Sequence, residues 1–439
     1  MTFEKEFKSF CKAITLDNYD DMKKTAGEIA KKLNSYYYGI EGDMSSHMYI
    51  VGSVGRKTAI RGSSDLDILF DLPEEIYDKY NGYKSYGQSA LLQDVKSVLA
   101  ERYPKTDISG DGQVVVIAFN KYTVELVPAF QNNDGSFTYP DTHAGGSWKI
   151  TNPIPEQEEC KSCNNSSDGI YYDVCHMIRS WKNSVGLSMG GLLIDTLVYN
   201  VFLEKEYFKE YELRDYFSIL MCVFEYFKNQ DKKRSYWFAV GSNQKVYNSN
   251  NGEFVTKAKE TYEKINEVIE SGDSIEDVLT ELLGNDFSAT DQIVVKSAEL
   301  NNYDKYAHFR GAKSEQFIDE LFSVDIRYSL QIDCMVTQNG FRSCFLSLIL
   351  REQKWIGHDL NLDFQITKTD CPKPYYIYWK VRNVGIEAEK RNMIRGEIFF
   401  TNKSHQKEHT DFYGPHYVEC YLVKNNVCVA KAKINVPIK

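Results

Sequence analysis

Two carboxylates and a glycine-serine pair near the N-terminus have the residue types and the spacing to bind metal ions and phosphate. Residues 51–73 read VGSVGRKTAIRGSSDLDILFDLP; Gly52 and Ser53 follow one apolar run, and Asp65 and Asp67 open another. On a β-strand, side chains at positions i and i+2 point to the same face, about 7 Å apart at Cα. Carboxylates placed in this way suit a pair of Mg²⁺ ions, which phosphoryl transfer uses to activate the attacking oxygen and neutralise the leaving group.

A third carboxylate on a neighbouring strand would complete such a site, and Glu125 in the apolar run TVELVPAF is the candidate. Glycine at position 52 lets the backbone approach a phosphate closely, and the Ser53 hydroxyl can donate a hydrogen bond to it. Each feature alone has a simpler interpretation, because Gly-Ser turns are common, Asp-x-Asp often marks a solvated strand end, and a lone glutamate suits an exposed strand face. The combination favours a phosphoryl-transfer site.

The hydrophobic pattern predicts the elements that position these residues. Residues 5–35 are predicted to be helical, and they are followed by four strands and one helix: strands Met48–Ser53, Asp65–Leu72, Val114–Phe119 and Tyr122–Phe130, and helix Ser89–Tyr103. The last two strands are joined at Asn120-Lys121, which predicts a hairpin. Neighbouring strands mixed with helices indicate an α+β sheet domain.

In the rest of the chain the predicted secondary structure changes twice. Four stretches between residues 168 and 308 have helical periodicity: Tyr171–Lys182, Gly191–Phe208, Asp215–Lys228 and Phe254–Leu283. After residue 315, short β-branched and aromatic stretches predict an all-β sandwich: FRSCFLSLIL, LDFQIT, YYIYWKV, RGEIFF, HYVECYLV and VCVAKAKINV. We therefore predict a catalytic sheet domain at 1–165, a helical domain at 166–312 and a β-sandwich at 313–439.

The amino-acid composition limits the binding partners and the cellular compartment that we expect. The net charge of −10 argues against binding of bulk duplex nucleic acid, but residues 371–439 carry 12 Lys and Arg against 6 Asp and Glu. The longest apolar stretch, Tyr216–Phe227, is too short to span a membrane, and the N-terminus has no signal-peptide core, so we expect a cytoplasmic protein without membrane insertion. Cys160 and Cys163 form a single CxxC, for which ordinary reduced thiols are a better interpretation than a structural metal site.

The pattern of strand, Gly-Ser, Asp-x-Asp and strand carboxylate resembles the polymerase-β-like nucleotidyltransferases, and more closely the bacterial cGAS/DncV-like enzymes (CD-NTases, SMODS class). Three blocks match that class in order and spacing: GGSWKITNP at 145–153, MIRSWKN at 177–183 and MGGLLIDTLVYNVF at 189–202. The resemblance implies a polymerase-β-like sheet domain and a helical half-domain that closes over a nucleotide.

The same resemblance assigns roles to individual residues. Gly52 and Ser53 would hold the triphosphate, and the three carboxylates would be catalytic and bind two Mg²⁺ ions, with Mn²⁺ as an alternative: Asp65, Asp67 and Glu125. Lys182 would reach the β- and γ-phosphates, together with Ser188. From the residues alone, an ordinary solvated helix lysine is the better interpretation of Lys182.

Two blocks in the C-terminal third are YWKVRNVGIEAEKRNMIRGEI at 378–398 and EHTDFYGPHYVECYLVKNNVCVAK at 408–431. They resemble the AGS-C domain, which implies a nucleotide sensor. The basic and aromatic residues of this third suit nucleotides or short single strands, and the alternative is a sandwich core with solvated charges. The candidate primer or sensor residues are Arg391, Arg395, Tyr413, His416, Tyr417 and Tyr421.

The implied function is a nucleotidyltransferase that releases pyrophosphate and polymerises NTPs into a cyclic di- or trinucleotide signal for anti-phage defence. The signal would act on a downstream effector, a membrane protein or a nuclease. One alternative is a Hailong-type synthase that makes linear single-stranded DNA oligomers from dNTPs, primed on a hydroxyl of its own C-terminal region. Two others are a non-catalytic nucleotide sensor, and a transferase that modifies a protein, a tRNA or a small molecule.

Overall fold

The computed structural model describes residues 4–62, 65–204, 216–271, 274–288, 315–338, 343–391 and 393–439. Its contacts divide the chain into two compact units. The first comprises the described residues up to 181 and from 189 to 288, and the second comprises 182–188 and the described residues from 315 onwards. The predicted division into three domains stays a prediction.

The described part of the first unit contains a seven-stranded sheet. Its strands are β1 (Met48–Ile50), β2 (Asp65–Asp71), β3 (Asp107–Asp111), β4 (Val114–Ala118), β5 (Thr123–Gln131), β6 (Phe137–Asp141) and β7 (Ser147–Thr151). The order is β1-β2-β5-β4-β3, and β6 pairs with β5 and β7. β2 and β5 run parallel, whereas β4 and β5 form the predicted antiparallel hairpin.

Helices cover the apolar face of this sheet. Alternate residues of β2, β4 and β5 are fully buried, and they pack with apolar side chains of the helices Tyr19–Tyr38 and Gly87–Arg102. The mixture of strands and helices confirms the predicted α+β class.

The remaining helices of the first unit include four that the sequence did not predict, Gly52–Gly55, Glu74–Asn81, Pro153–Ser166 and Asn285–Ser288, and three further differences from the prediction are described below. The remaining helices are Glu4–Ile14, Gly52–Gly55, Glu74–Asn81, Pro153–Ser166, Ile170–Ser184 (the first unit containing it up to residue 181), Gly191–Leu203, Tyr216–Lys228, Glu253–Ser271, Ile275–Leu283 and Asn285–Ser288, with a 3-10 turn at His143–Gly145.

The first difference is that the helix predicted at 5–35 is two helices, because Thr15 leaves the helical path and bridges to Ile60. The second is that the stretch predicted at 254–283 is also two helices, and the Ser274 hydroxyl caps the later one by accepting from the Asp277 N–H. The third is an unpredicted hairpin, β8 (Tyr236–Phe238) with β9 (Lys245–Tyr247). The end of the stretch predicted at 191–208 lies partly outside the described residues.

The second unit is a two-sheet β-structure. Its strands are β10 (Ser323–Val324), β11 (Leu330–Thr337), β12 (Cys344–Phe345), β13 (Asn361–Thr369), β14 (Tyr376–Arg382), β15 (Arg395–Phe400), β16 (His405–His409), β17 (Gly414–Lys424) and β18 (Val427–Ile438). One sheet has the order β10-β18-β17-β14-β15 and the other β12-β11-β13-β16. Buried side chains from both sheets form one core, which confirms the predicted C-terminal β domain.

Short helices interrupt these strands at Ile318–Leu321, Leu346–Glu352 and Ile386–Lys390. The second of them makes one strand prediction wrong: in the described part of FRSCFLSLIL, which begins at Ser343, only Cys344 and Phe345 are extended, and the following leucine-rich residues are helical. Leucine favours helix, and an apolar run this short does not distinguish the two states. Within the described ranges, no helix combines the length and the apolarity that crossing a bilayer requires.

Candidate active site

The three predicted carboxylates lie on two adjacent strands. Asp67 on β2 is the direct register partner of Glu125 on the parallel strand β5, and Asp65 is two residues before Asp67 on the same face. All three are partly exposed, whereas the alternate neighbours Leu66 and Ile68 are fully buried. The period of two in the sequence therefore separates a carboxylate face from a core face.

The predicted Gly-Ser turn lies directly against one of these carboxylates. The Val51 N–H donates to the Asp67 carbonyl oxygen (2.9 Å), which places the next residue beside the Asp67 side chain. Gly52 has φ +62°, and a Cβ built on it would lie 1.7 Å from Asp67 Oδ2. Glycine is therefore required here both by the left-handed backbone and by the space that the carboxylate occupies.

Backbone hydrogen bonds close the turn after Gly52. The Ser53 carbonyl oxygen accepts from the N–H groups of Thr58 (2.9 Å) and Ala59 (3.2 Å), and the Gly52 carbonyl oxygen accepts from Arg56 (3.1 Å). Ser53 itself is partly exposed. The turn is thus a compact loop that presents Gly52 and Ser53 beside the strand carboxylates.

The carboxylates fit a hard cation by donor type, although they are not gathered around one point. In the part of the chain that the structure describes, no set of three or more His, Cys, Asp and Glu side chains is arranged to hold a metal ion. Asp65, Asp67 and Glu125 are nevertheless partly exposed oxygen donors on neighbouring backbone positions, and Mg²⁺ prefers such oxygens. Carboxylates repel one another when no cation is bound, and a divalent cation between them would favour their approach.

A buried ionic network fixes the loop that follows Gly52 and Ser53. Arg56 Nε donates to Asp195 Oδ2 (2.9 Å), and the Thr58 hydroxyl donates to the same oxygen (2.9 Å). Arg179 binds both carboxylate oxygens of Asp195, at 2.6 and 2.9 Å, and Glu156 lies 3.3 Å from Arg56 Nη1. Burial raises the pKa of Asp195, but the two guanidinium groups outweigh burial and hold the pKa well below its ordinary value.

The sequence interpretation assigned no role to these network residues, although four of them, Arg56, Thr58, Arg179 and Asp195, lie in blocks that it singled out. Asp195 is the only acidic residue in the helix GLLIDTLVYNVFL, and Arg179 stands among apolar residues in HMIRSW. A charged residue inside an apolar helical run is a signal for a buried, paired charge. Its partners could not be named, because they come from separate segments of the chain.

A buried histidine adds a further contact to the same loop. His176 Nε2 lies 3.2 Å from the carbonyl oxygen of Lys57, which has φ +62°. The other ring nitrogen, Nδ1, has no hydrogen-bond partner among the described residues. Burial, assisted by the charge of Arg179, lowers the pKa of His176 to about 4, so the ring is neutral near pH 7.

Lys182 and Ser188 lie with the second unit. Lys182 is buried, and its Nζ is 3.0 Å from Asp325 Oδ1 and donates to the Ile326 carbonyl oxygen (2.7 Å). The Ser188 hydroxyl donates to the Arg327 carbonyl oxygen (2.7 Å). In this conformation both side chains contact the segment at 325–327, and their predicted role as phosphate ligands stays a prediction.

The CxxC cysteines are buried in the helix Pro153–Ser166. Burial raises the pKa of both thiols, Cys160 and Cys163, to about 12. Cys160 Sγ lies 3.3 Å from the Tyr171 hydroxyl. Both groups are therefore protonated thiols near pH 7.

The C-terminal candidate tyrosines differ in exposure. Tyr421 is 2% exposed and donates to Glu419, and Tyr417 donates to Glu315 (2.7 Å). Tyr413 is 55% exposed. A hydroxyl that has to receive a nucleotide must be accessible, and Tyr413 satisfies that condition best of the three.

The basic candidates also separate into buried and exposed groups. His416 is buried; its Nδ1 accepts from the Val384 N–H (3.0 Å), and its Nε2 donates to the Phe412 carbonyl oxygen (3.1 Å). Arg395 pairs with Glu408, whereas Arg391 is mostly exposed.

Comparison with known protein families agrees with this geometry. Residues 1–164 match the Second Messenger Oligonucleotide or Dinucleotide Synthetase domain (SMODS). Residues 312–439 match the Adenylyl/Guanylyl and SMODS C-terminal sensor domain (AGS-C). The chain is a CD-NTase with a C-terminal AGS-C sensor domain. The resemblance predicted from the sequence is thereby confirmed.

Two relatives of this CD-NTase have named activities. A probable cyclic nucleotide synthase of Bacillus cereus (strain VD146) is 24% identical over 199 residues, which are 38% of this chain and 60% of the relative. A cyclic AMP-AMP-AMP synthase of Acinetobacter sp. (strain ATCC 27244 / 9458) is 23% identical over 136 residues, 31% of this chain and 39% of the relative. The matches thus span less than two thirds of either relative.

Solved structures show the same fold in other members. CdnC of E. coli MS115-1, determined with ATP, has a TM-score of 0.51 at 14% identity and covers 65% of this CD-NTase and 99% of CdnC. The complex of CdnC with HORMA-deltaN gives a TM-score of 0.51 at 13% identity, covering 65% of this chain and 98% of that one. Identities this low establish a shared fold only.

Proposed function

We propose that this CD-NTase joins nucleoside triphosphates into an oligonucleotide second messenger and releases pyrophosphate. The observation that carries the proposal is the register of β2 with β5, which sets Asp67 beside Glu125 while Gly52 lies against the Asp67 carboxylate. The SMODS match and the named synthase relatives support it. The finer expectation is a cyclic di- or trinucleotide.

Each group at the site has a proposed task. Asp65, Asp67 and Glu125 would hold two Mg²⁺ ions, or Mn²⁺ in their place, and the bound ions would activate the attacking hydroxyl and neutralise the developing negative charge. The loop at Gly52 and Ser53 would hold the triphosphate through backbone N–H groups and the serine hydroxyl. Because phosphoryl transfer depends chiefly on positioning and electrostatics, the network that fixes this loop would contribute directly to the rate.

The test is a product assay on the full chain. The protein is incubated with Mg²⁺ and each labelled NTP and dNTP, singly and mixed, and the products are digested with phosphatase and with nuclease. We expect a phosphatase-resistant oligonucleotide, and the digestion pattern distinguishes a cyclic from a linear product. If no nucleotide is consumed under any condition, the synthase proposal is wrong.

Substitutions locate the site in the same assay. Replacing Asp65 and Asp67 together with Ala should lower product formation at least ~10³-fold without loss of folding, because the paired carboxylates repel each other when no cation is bound. Glu125→Gln should behave similarly, whereas Glu125→Asp, which keeps the charge, should retain part of the rate. Glu101→Gln is the matched control, since Glu101 forms only an exposed pair with Lys32. Retained product in the double variant would mean that the active site lies elsewhere.

The exposure of Tyr413 favours a second candidate, a linear DNA oligomer synthase that is primed on its own C-terminal region. Tyr413 is exposed, whereas Tyr421 is buried. If a protein hydroxyl is the primer, labelled dNTP becomes covalently attached to the chain. The label should disappear in Tyr413→Phe and persist in Tyr421→Phe; free product without labelled protein excludes this mode.

We further propose that the product acts in the cytoplasm as an anti-phage signal on a downstream effector, a membrane protein or a nuclease. The ten cysteines of the chain are all free thiols, which suits a reducing compartment. Expression of the chain together with its neighbouring genes should protect bacteria against phage, and the Asp65 and Asp67 double variant should not. The non-catalytic sensor alternative instead predicts stabilisation by NTP in a thermal shift without any turnover.

A further inference from the structure

A cavity of about 400 Å³ opens between the two sheets of the second unit. Strands β13 to β18 contribute its walls, and the loop that precedes β17 contributes Phe412. The volume lies within the range of small-molecule sites and suffices for one ring system with a sugar, but not for a strand of several nucleotides.

The inner surface of this cavity is apolar and partly aromatic. Phe364, Phe412 and Val418 line it and are each no more than 4% exposed. Aromatic and branched side chains offer flat surfaces against which a planar ring can be buried. The inner surface therefore favours a flat and largely uncharged group.

The rim is polar and is fixed by a fork-shaped ion pair. Arg395 contacts Glu408 through both terminal nitrogens, at 2.5 and 3.1 Å. Arg395 has φ +53°, a left-handed conformation that is uncommon for residues other than glycine, and its carbonyl oxygen accepts from Arg382 Nη1 (2.8 Å). Strained residues that are held by several contacts tend to occur at ligand sites.

The charge at the rim is balanced, which argues against a polyphosphate. Among the described Lys, Arg, Asp and Glu residues that line the cavity, Arg395 and Lys407 are matched by Glu408 and Asp411, and His409 Nδ1 lies 2.7 Å from Asp411 Oδ1. His416 adds no charge near pH 7, because burial lowers its pKa. A triphosphate would have to approach two carboxylates, whereas a ring with amino and carbonyl groups on its edge can pair with carboxylate, amide and guanidinium in turn.

We propose that this cavity binds a single nucleobase, supplied either by a free nucleoside or by the end of a short strand. A base has a flat face that suits the aromatic inner surface, and it has an edge of alternating donors and acceptors that suits the rim. The cavity and its chemistry are observed independently of the proposed function. The choice of a nucleobase among flat heteroaromatic rings rests on the proposed function.

Calorimetric titration of the full chain without Mg²⁺ tests this proposal. The ligands are adenosine, guanosine, cytidine, uridine and thymidine, then the matching monophosphates and dinucleotides. We expect saturable binding of at least one nucleoside, with no gain from added phosphates. Tighter binding of a dinucleotide than of its nucleoside indicates a strand end, and equal affinity indicates a free nucleoside.

Two cavity variants and one control separate this site from the catalytic one. Arg395→Gly removes the rim cation at a position where glycine relaxes the backbone, and Met393→Trp fills the mouth from a 42% exposed position. Each should weaken nucleoside binding at least ~10-fold, whereas Arg351→Gln, an exposed arginine that does not line the cavity, should not.

The outcomes are decisive in both directions. The proposal is overturned if no nucleoside binds the folded wild-type chain, or if both cavity variants bind as the wild type does. Because binding is measured without turnover, an inactive chain that still binds nucleoside would refute the synthase proposal and leave this one intact.

Discussion

Each unit of the molecule contains a buried ionic network, and the two are built in opposite ways. In the first unit one fully buried carboxylate, Asp195, is surrounded by the guanidinium groups of Arg56 and Arg179. In the second unit one buried ammonium, Lys380, lies 2.9 Å from Glu315 and 3.3 Å from Glu419. The first network has its acid at the centre, and the second has its base there.

The difference lies in how well the outer charges are solvated. Arg56 and Arg179 are each 6% exposed at the side chain, whereas Glu315 and Glu419 are 20% and 17% exposed. Removing the central charge therefore takes the shared counter-charge from two buried cations in the first unit, where Arg56 keeps only Glu156, but leaves two partly hydrated anions in the second. The first network should also matter more for activity, because it holds the loop that carries Gly52 and Ser53.

The largest expected effect is that of Asp195→Asn. The amide keeps the shape but removes the shared counter-charge of two buried guanidinium groups, of which Arg56 retains Glu156 at 3.3 Å, so we expect a loss of about 3–5 kcal/mol in the free energy of unfolding. Urea denaturation measures it. Asp286→Asn is the control, because its pair with Arg61 is exposed and should contribute less than about 1 kcal/mol. Equal losses in the two variants would contradict the anchoring role of Asp195.

A smaller effect is expected of Lys380→Met. Methionine retains much of the apolar volume, and the two glutamates can take up water or protons, so we expect a loss of about 1–3 kcal/mol. Under conditions in which both variants are folded, product formation should fall for Asp195→Asn but not for Lys380→Met. A Lys380→Met loss as large as that of Asp195→Asn would show that exposure of the outer charges does not distinguish the networks.

The pH dependence of stability tests the buried histidine of the first unit, His176. The pKa of His176 is about 4 in the folded chain against 6.5 for an ordinary histidine, so the unfolded chain binds the additional proton between those values. The free energy of unfolding should therefore fall as the pH drops from about 6.5 to 4, by about 3 kcal/mol from this group. His176→Gln should flatten that part of the profile relative to the wild type. An unchanged difference between the two proteins across this range would refute the assignment.

The smallest expected effect is that of Lys57→Gly in the same loop. Lys57 has φ +62°, which glycine adopts without steric strain. We expect a change of at most about 1 kcal/mol, in the stabilising direction, because relief of strain exceeds the added freedom of the unfolded chain. Thermal unfolding measures it. Marked destabilisation would mean that the lysine side chain, rather than the backbone, stabilises the loop.

Much of the fold and part of the candidate site could be predicted from the sequence. The alternation in DLDILF assigns carboxylates and core residues to opposite faces, because side-chain direction on a strand depends only on local geometry. The hairpin of β4 and β5 could also be predicted, because its two strands are adjacent in the chain. The helix at Leu346–Glu352 could not be predicted, since a short leucine-rich run is compatible with either state.

The sequence by itself determined the residue types at the site, their faces on the strands and the family to which the chain belongs. Only the tertiary structure decided which segments meet. The parallel pairing that sets Asp67 beside Glu125, and the contacts of Asp195 with Arg56, Thr58 and Arg179, join residues far apart in the chain. The same holds for the contact of Lys182 with Asp325. Such pairings depend on how whole elements pack, because a buried charge is stable only where the fold supplies its partners.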